Sequence, residues 1–316
     1  MARRRAHTRG ARSPVAHPRP SRRRPVRPGE PALRVAVTGA SGQLGAAVLD
    51  ALSDAGLKSV SLTRSELDLE GDRIEETVAG LQVDWLLHCA AYTAVDQAER
   101  EPKRALRING DATAAIARGA ARSDTRVLYV STDYVFDGAM SEPYPEDAPV
   151  APINAYGQSK RVGELAVLEI LERPLVVRTS WLMGGGTPNF ASTMMRLGRT
   201  RDTLEVVCDQ RGRPTWVFDL APALIELMER DAEGVLHVAN EGEATWYEVA
   251  DALFEQARAQ GEALELRELR ETTTERYGAP AARPSYSVLD LTRARETYGV
   301  TLPGWRSGLI RALENC

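Results

Sequence analysis

Between an apolar run at residues 33–38 and an amphipathic stretch that ends near Ala55, the chain places Gly39, Gly42 and Gly45 three residues apart. No other feature narrows the fold as much. Buried strand, glycine-rich turn and helix in immediate succession open a βαβ unit. One glycine makes the turn, a second lets backbone N–H groups approach a pyrophosphate, and a third lets helix and strand pack closely. Val48, Leu49 and Leu52 fall at helical spacing after the turn, and Gly56 supplies the stop. The turn therefore predicts a dinucleotide site made by Gly39, Gly42, Gln43, Leu44 and Gly45.

The alternation continues. Further apolar strands are expected at 59–62, 85–89, 127–131, 175–178 and 235–239, with clear helices at 103–122, 155–171 and 246–260. Strands separated by helices specify an α/β fold, here a Rossmann-like doubly wound parallel sheet with a smaller C-terminal α/β substrate domain. The expected division is 31–180 for the dinucleotide-binding domain and 181–316 mainly for the substrate domain, some segments of which return to the sheet.

The net charge of −4 conceals two unlike parts. Residues 1–30 carry ten arginines and one glutamate, whereas the remaining 286 residues carry 30 basic and 43 acidic groups. An Arg/Pro-rich segment with almost no apolar residues is expected to be a disordered tail. It lacks the apolar core of a secretory signal, and its prolines argue against a transit helix. It also lacks the interleaved aromatics of a nucleic-acid arm. A dispensable extension or a start set too early is the expectation. Cys89, Cys208 and Cys316 form no C-x-x-C pair, which indicates neither a disulfide framework nor a cysteine zinc knuckle and fits a reducing, cytoplasmic compartment. No apolar run approaches the ~18 residues of a spanning helix.

Cofactor choice is read where the second strand ends, because an acid there would hold the ribose 2′-OH of NAD. Leu62-Thr63-Arg64-Ser65 offers instead an arginine suited to a 2′-phosphate. NADPH is expected, with NADH possible, and Asp68 and Leu69 are placed to flank the adenine. Tyr156 and Lys160 share a helix face at i, i+4, where the ammonium would stabilise phenolate, draw the tyrosine pKa towards the working pH and make a usable general acid. Lysine occurs only at 58, 103 and 160 against 37 arginines, so its retention here suits a residue that must also hydrogen-bond a ribose. The strand at 127–130 then runs into Ser131-Thr132-Asp133-Tyr134-Val135-Phe136, which sets hydroxyls at the carboxyl edge of the sheet, where such folds bind ligands.

Gly39 to Gly45, His88-Cys89-Ala90-Ala91-Tyr92-Thr93-Ala94-Val95-Asp96, the Ser131 to Gly138 segment and Tyr156 to Lys160 together resemble the extended short-chain dehydrogenase/reductases, and within them the dTDP-4-dehydrorhamnose reductases. The resemblance continues through Arg178-Thr179-Ser180-Trp181, Asn189-Phe190-Ala191, Asp209-Gln210, Pro214-Thr215 and Arg283-Pro284, and leaves out only the tail. It implies catalysis by Thr132, Tyr156 and Lys160, with Tyr156 as proton donor. Ala91, Tyr92, Thr93, Tyr156 and Lys160 would join the glycine turn and Arg64 at the cofactor. Thr132, Asp133, Tyr156 and Trp181 would face the sugar, and Arg283 the nucleotide portion.

The implied reaction reduces the C4 keto group of dTDP-4-dehydro-6-deoxy-L-mannose to dTDP-L-rhamnose, with no metal, nucleic acid or membrane as partner. Two alternatives stay open: a reductase of another dTDP-4-keto-deoxysugar, and a non-catalytic dinucleotide-binding regulatory subunit, against which the complete Thr/Tyr/Lys set argues. Some members of the family dimerise through glutamates and a divalent ion. The corresponding position two residues after Gly45 is Ala47, so a monomer or a different homodimer is expected. His88 and Cys89, as strand neighbours, point to opposite faces and read as packing groups rather than a dyad. His7, His17, His88 and His237 show no ligand spacing.

Overall fold

The computed structural model describes residues 33–186 and 188–314; the Arg/Pro-rich tail and Cys316 lie outside the described residues. β1 (Arg34–Thr38) is buried beyond its first residue and leads through Gly39 into α1 (Gln43–Asp54). The turn closes with Gly42 N–H donating to the Gly39 carbonyl at 2.8 Å, Gly39 itself adopting φ +66°. Gly56, at φ +68°, ends the helix, and the Leu57 N–H returns to the Leu52 carbonyl at 2.9 Å, which satisfies a terminal acceptor. β2 (Lys58–Leu62) follows, then α2 (Ile74–Ala79) and β3 (Trp85–His88).

The predicted helix at 103–122 is segmented. α3 (Val95–Arg100) and α4 (Pro102–Leu106) lead into a π turn, Arg107–Asp111, which continues as α5 (Ala112–Arg122). Helical periodicity does not reveal such a turn, because it adds one residue without breaking the helix. β4 (Arg126–Thr132), α6 (Ala155–Ile170) and β5 (Leu175–Thr179) complete this part of the chain.

Past β5 the chain forms β6 (Leu182–Met183), α7 (Phe190–Gly198), β7 (Thr203–Val207), β8 (Arg211–Gly212), β9 (Thr215–Trp216), α8 (Val217–Glu229), β10 (Gly234–His237), β11 (Ala244–Thr245), α9 (Trp246–Ala259) and β12 (Glu268–Thr272). β10 joins the main sheet, whose order is β10-β5-β4-β3-β1-β2, with every neighbouring pair parallel. The remaining strands make three two-stranded pairs: β6 with β9, β7 with β12, and β8 with β11.

The strands of the main sheet other than the edge strand β2 alternate their apolar residues between two layers, as helices on both faces require. Val35, Val37, Leu87, Leu128 and Val177 pack with Val48 and Leu52 of α1 and Leu220 and Leu224 of α8. Ala36, Leu86 and Val127 pack against Ile74 and Val78 of α2 and Ile116 of α5. With both faces covered, the polar ends of the strands are left to carry chemistry at the carboxyl edge.

Candidate active site

That edge borders a cleft of about 610 Å³. Gly39, Gly42, Gln43, Leu44 and Gly45 line it together with Ala91, Thr93, Thr132, Tyr156, Lys160 and Trp181. Two glycines of the turn tolerate no side chain: a Cβ on Gly45 would lie 2.1 Å from the Gly39 carbonyl oxygen, and one on Gly39 2.8 Å from Ala90 Cα. Gln43 Nε2 and Thr179 Oγ1 are buried in the lining without a hydrogen-bond partner among the described residues.

Arg64, Asp68, Leu69 and Tyr92 line an adjoining space of about 290 Å³, which shares Gly39, Ser41, Ala90 and Ala91 with the cleft. Arg64 is engaged there by acids: its guanidinium lies 2.8 Å from Glu70 and 3.6 Å from Asp68. Arg104 reaches Glu70 from the other side at 3.0 Å. Hydrogen bonding to Arg104 holds the Glu70 carboxyl below its ordinary range.

At the reacting end, Lys160 is 2 % exposed, and its Nζ donates to the Val130 carbonyl at 2.7 Å while sitting 4.0 Å from the centre of the Tyr129 ring. Burial lowers its pKa to about 7, against the attraction of Glu164. The Tyr156 phenol is pushed up to about 12 by burial; a hydrogen bond with Thr132 acts the other way, and the charge of Asp133 adds to the rise. The expectation that Lys160 draws the tyrosine towards neutral pH therefore fails. Spacing put the two groups on one helix face, but desolvation disfavours both charged forms, and the ammonium is directed to a backbone carbonyl instead. A phenol held protonated is the form that donates a proton.

Asp133 lies behind the cleft rather than in its lining. It is 2 % exposed, accepts from Thr132 Oγ1 at 3.1 Å and from Ser287 Oγ at 2.6 Å, and burial raises its carboxyl to about 7. It holds the hydroxyl of its neighbour, a role the strand-end motif alone does not distinguish from facing a ligand. Arg283 also lies away from the cleft. It pairs with Asp96 at 3.0 Å and borders a separate cavity of about 320 Å³ lined in part by Phe190, Thr193, Val206, Gln210 and Trp246.

His88 and Cys89 do face opposite sides of the sheet. The His88 ring is held between the hydroxyls of Thr38 at 2.7 Å and Thr113 at 3.1 Å, and burial drops its pKa to about 3, so it is neutral. Cys89 differs from a pure packing group: it is half-buried and borders the cleft, with burial lifting its thiol to about 12, far from reactive thiolate. Ala47 is partly buried and packs against the sheet core. Among the described residues, no group of three or more His, Cys, Asp or Glu side chains could hold a metal ion, and no helix is long and apolar enough to cross a membrane.

Sequence reasoning missed Asn109. The π turn aims its side chain at two elements at once: Oδ1 accepts from Tyr92 N–H at 2.8 Å, and Nδ2 donates to the Tyr92 carbonyl at 3.0 Å and to Ser159 Oγ at 2.9 Å. The loop that walls the cleft is thereby tied to the helix that carries Lys160. Glu164 and Arg178 were likewise missed as a pair. Their link spans helix and strand, and only the Arg-Thr-Ser-Trp motif drew attention to one partner.

A family model described as the RmlD substrate binding domain matches residues 33–316. The chain is 40% identical over 289 residues to a dTDP-4-dehydrorhamnose reductase of Streptomyces griseus, covering 89% of this chain and 93% of the relative. It is 38% identical over 282 residues to the spore coat polysaccharide biosynthesis protein SpsK of Bacillus subtilis, covering 89% of this chain and 97% of that one. A crystal structure of the dTDP-4-dehydrorhamnose reductase of Bacillus anthracis, in complex with NADP, superposes with a TM-score of 0.85 at 36% identity, covering 90% of this chain and all of the other.

Proposed function

The chain belongs to the family defined by the RmlD substrate binding domain, and from that premise we propose that it is an NADPH-dependent reductase of the C4 keto group of dTDP-4-dehydrorhamnose, forming dTDP-L-rhamnose. One observation carries the reading: a single cleft is lined both by the glycine turn and by Thr132, Tyr156 and Lys160. A dinucleotide fits the residues present, because Gln43 Nε2 and Thr179 Oγ1 are buried polar groups of the lining with no partner among the described residues. Gly39, Gly42, Gln43, Leu44, Gly45, Ala91, Thr93 and Lys160 would hold it, with Arg64, Asp68, Leu69 and Tyr92 around the adenosine end. When bound, NADPH supplies the hydride.

Tyr156 then delivers its proton to the keto oxygen. A phenol near 12 is fully protonated at neutral pH yet far more acidic than the alcohol being formed, so transfer is downhill once charge develops on oxygen. Thr132, whose single hydroxyl proton goes to Asp133 in this structure, would turn that proton to the same oxygen and stabilise the charge. Lys160 would orient the ribose with the donors that its bond to the Val130 carbonyl leaves over. Trp181 would border the sugar, and the 320 Å³ cavity with Arg283 would receive the nucleotide. On this reading residues 31–180 carry the cofactor and 181–316 mainly the sugar nucleotide, in a cytoplasmic biosynthetic enzyme acting as a monomer or homodimer.

The test is the loss of NADPH absorbance on adding dTDP-4-keto-6-deoxy-L-mannose. The wild type should oxidise NADPH rapidly, and Tyr156→Phe should turn over about 10²–10⁴-fold more slowly with unchanged NADPH affinity. Absence of oxidation by a wild type that still binds NADPH would refute the substrate; near-normal turnover by Tyr156→Phe would refute the proton donor.

A further inference from the structure

The reaction cleft and the 320 Å³ cavity share no lining residue, yet an aromatic pair bridges them. Trp181 borders the cleft and Trp246 the cavity, and their rings stack with centroids 3.7 Å apart and planes within 4°. We infer that Trp246 is a positioning residue that couples occupancy of the cavity to the orientation of Trp181 in the reaction cleft. This rests on the reading that the cavity receives the nucleotide end of the substrate.

Trp181 needs to be held. Its φ of +47° lies in the left-handed region, which bulky side chains avoid and which persists only where the surroundings over-determine it. Its carbonyl accepts from Thr215 N–H at 3.1 Å, which anchors the backbone. The indole is gripped from one ribbon: β8 and β11 are antiparallel, with Gly212 opposite Ala244 and Arg211 opposite Thr245. Gly212 lies so close that a Cβ there would stand 2.6 Å from Trp181 Cε2, and Trp246 follows directly after β11.

Trp246 is in turn fixed by residues that line the cavity. Its Nε1 donates to Gln210 Oε1 at 3.1 Å, and Phe190 packs 4.5 Å from its ring. Gln210 is set by its own donation to Thr274 Oγ1 at 2.9 Å, and Thr274 by Asp209 at 2.7 Å. A ligand seated against Phe190, Gln210 and Trp246 therefore presses on the group that sets the plane of Trp181. Binding energy from the non-reacting end of a substrate is the general means of ordering the reacting end.

A double-mutant cycle on the full chain, saturated with NADPH, separates this coupling from simple core filling. Trp246→Leu should lower kcat about tenfold and leave the NADPH Kd unchanged, and Trp246→Phe should restore most of the rate by keeping a ring in the stack. In a Trp181→Phe background, Trp246→Leu should cost no further turnover. Independent, multiplicative losses would overturn the inference, as would a rise in KM alone with kcat untouched.

Should the leucine variant not fold, circular dichroism carries the same test. The paired indoles should give an exciton couplet that vanishes in Trp246→Phe and that shifts in the wild type on saturation with dTDP. A couplet unmoved by bound dTDP would overturn the coupling. The premise is tested apart from it by calorimetry: Thr193→Trp, which fills the cavity, should abolish dTDP binding. Undiminished dTDP binding by that variant would remove the premise whatever the cycle shows.

Discussion

Lys160 and Arg178 are both buried cations, 2 % and 1 % exposed, and each lies near Glu164, yet their surroundings differ. Arg178 makes a two-pronged contact with Glu164, at 2.7 and 2.9 Å, and adds the Glu146 carbonyl at 3.3 Å. Burial alone would raise the Glu164 carboxyl, but the Arg178 guanidinium outweighs it and keeps it below its ordinary range. Lys160, one helical turn before Glu164, has for hydrogen bonding among the described residues only the Val130 carbonyl, and burial takes its pKa to about 7. A buried charge with a complete set of partners is a structural element. A buried ammonium with two donors to spare costs stability, and such a cost is tolerated where the donors are needed for something else.

The difference can be broken or sharpened by substitution. Glu164→Gln strips the paired cation of its partner and should cost about 3–5 kcal/mol of stability, read as a large drop in the denaturant midpoint. A loss under about 1 kcal/mol would mean that Arg178 is not held as a structural pair. Lys160→Met should do the reverse, with turnover down at least about 10²-fold and a thermal midpoint equal to or above wild type. A destabilised but active Lys160→Met enzyme would make the lysine structural instead.

Asn109→Ala, which removes a neutral buried clamp, should fall between the two, at about 1–3 kcal/mol with a weakened NADPH affinity. Unchanged affinity in that variant would detach the π turn from the cofactor wall.

A further signal is in pH. The Lys160 pKa is 10.5 in the unfolded reference and about 7 in the native protein, so between these values the unfolded chain holds a proton that the native chain has released. Stability of the wild type relative to Lys160→Met should therefore rise with pH from about 7 to about 10.5 and be level below about 7, where both states hold the proton. A flat difference across that window would show that the ammonium is not desolvated.

Much of the molecule could be read from the chain. The six strands of the main sheet fall within two residues of their expected ends, because the inner parallel strands are buried, short apolar runs, and even the largely exposed edge strand β2 ends on the buried Leu62. Glycines 39 and 45 are legible for a steric reason, since a Cβ on either would stand 2.1–2.8 Å from neighbouring backbone. The reading erred where the answer depended on what surrounds a side chain. The bond that Ser287, 154 residues away, makes to the Asp133 carboxylate was not legible. The Tyr156 pKa was expected to fall because the spacing to Lys160 was visible and the desolvation of both was not.

Spacing along the chain alone determined the doubly wound topology, the glycine turn and the placing of Thr132, Tyr156 and Lys160 at one sheet edge. These follow from periodicities of two and about 3.6 residues that operate over a few turns. Tertiary structure decided which of the assembled groups are charged, which cation is paired, where the helix before β4 takes an extra residue, and which tryptophan lies against Trp181. Each of these depends on burial or on partners tens of residues apart in sequence, and neither quantity is carried by any local pattern.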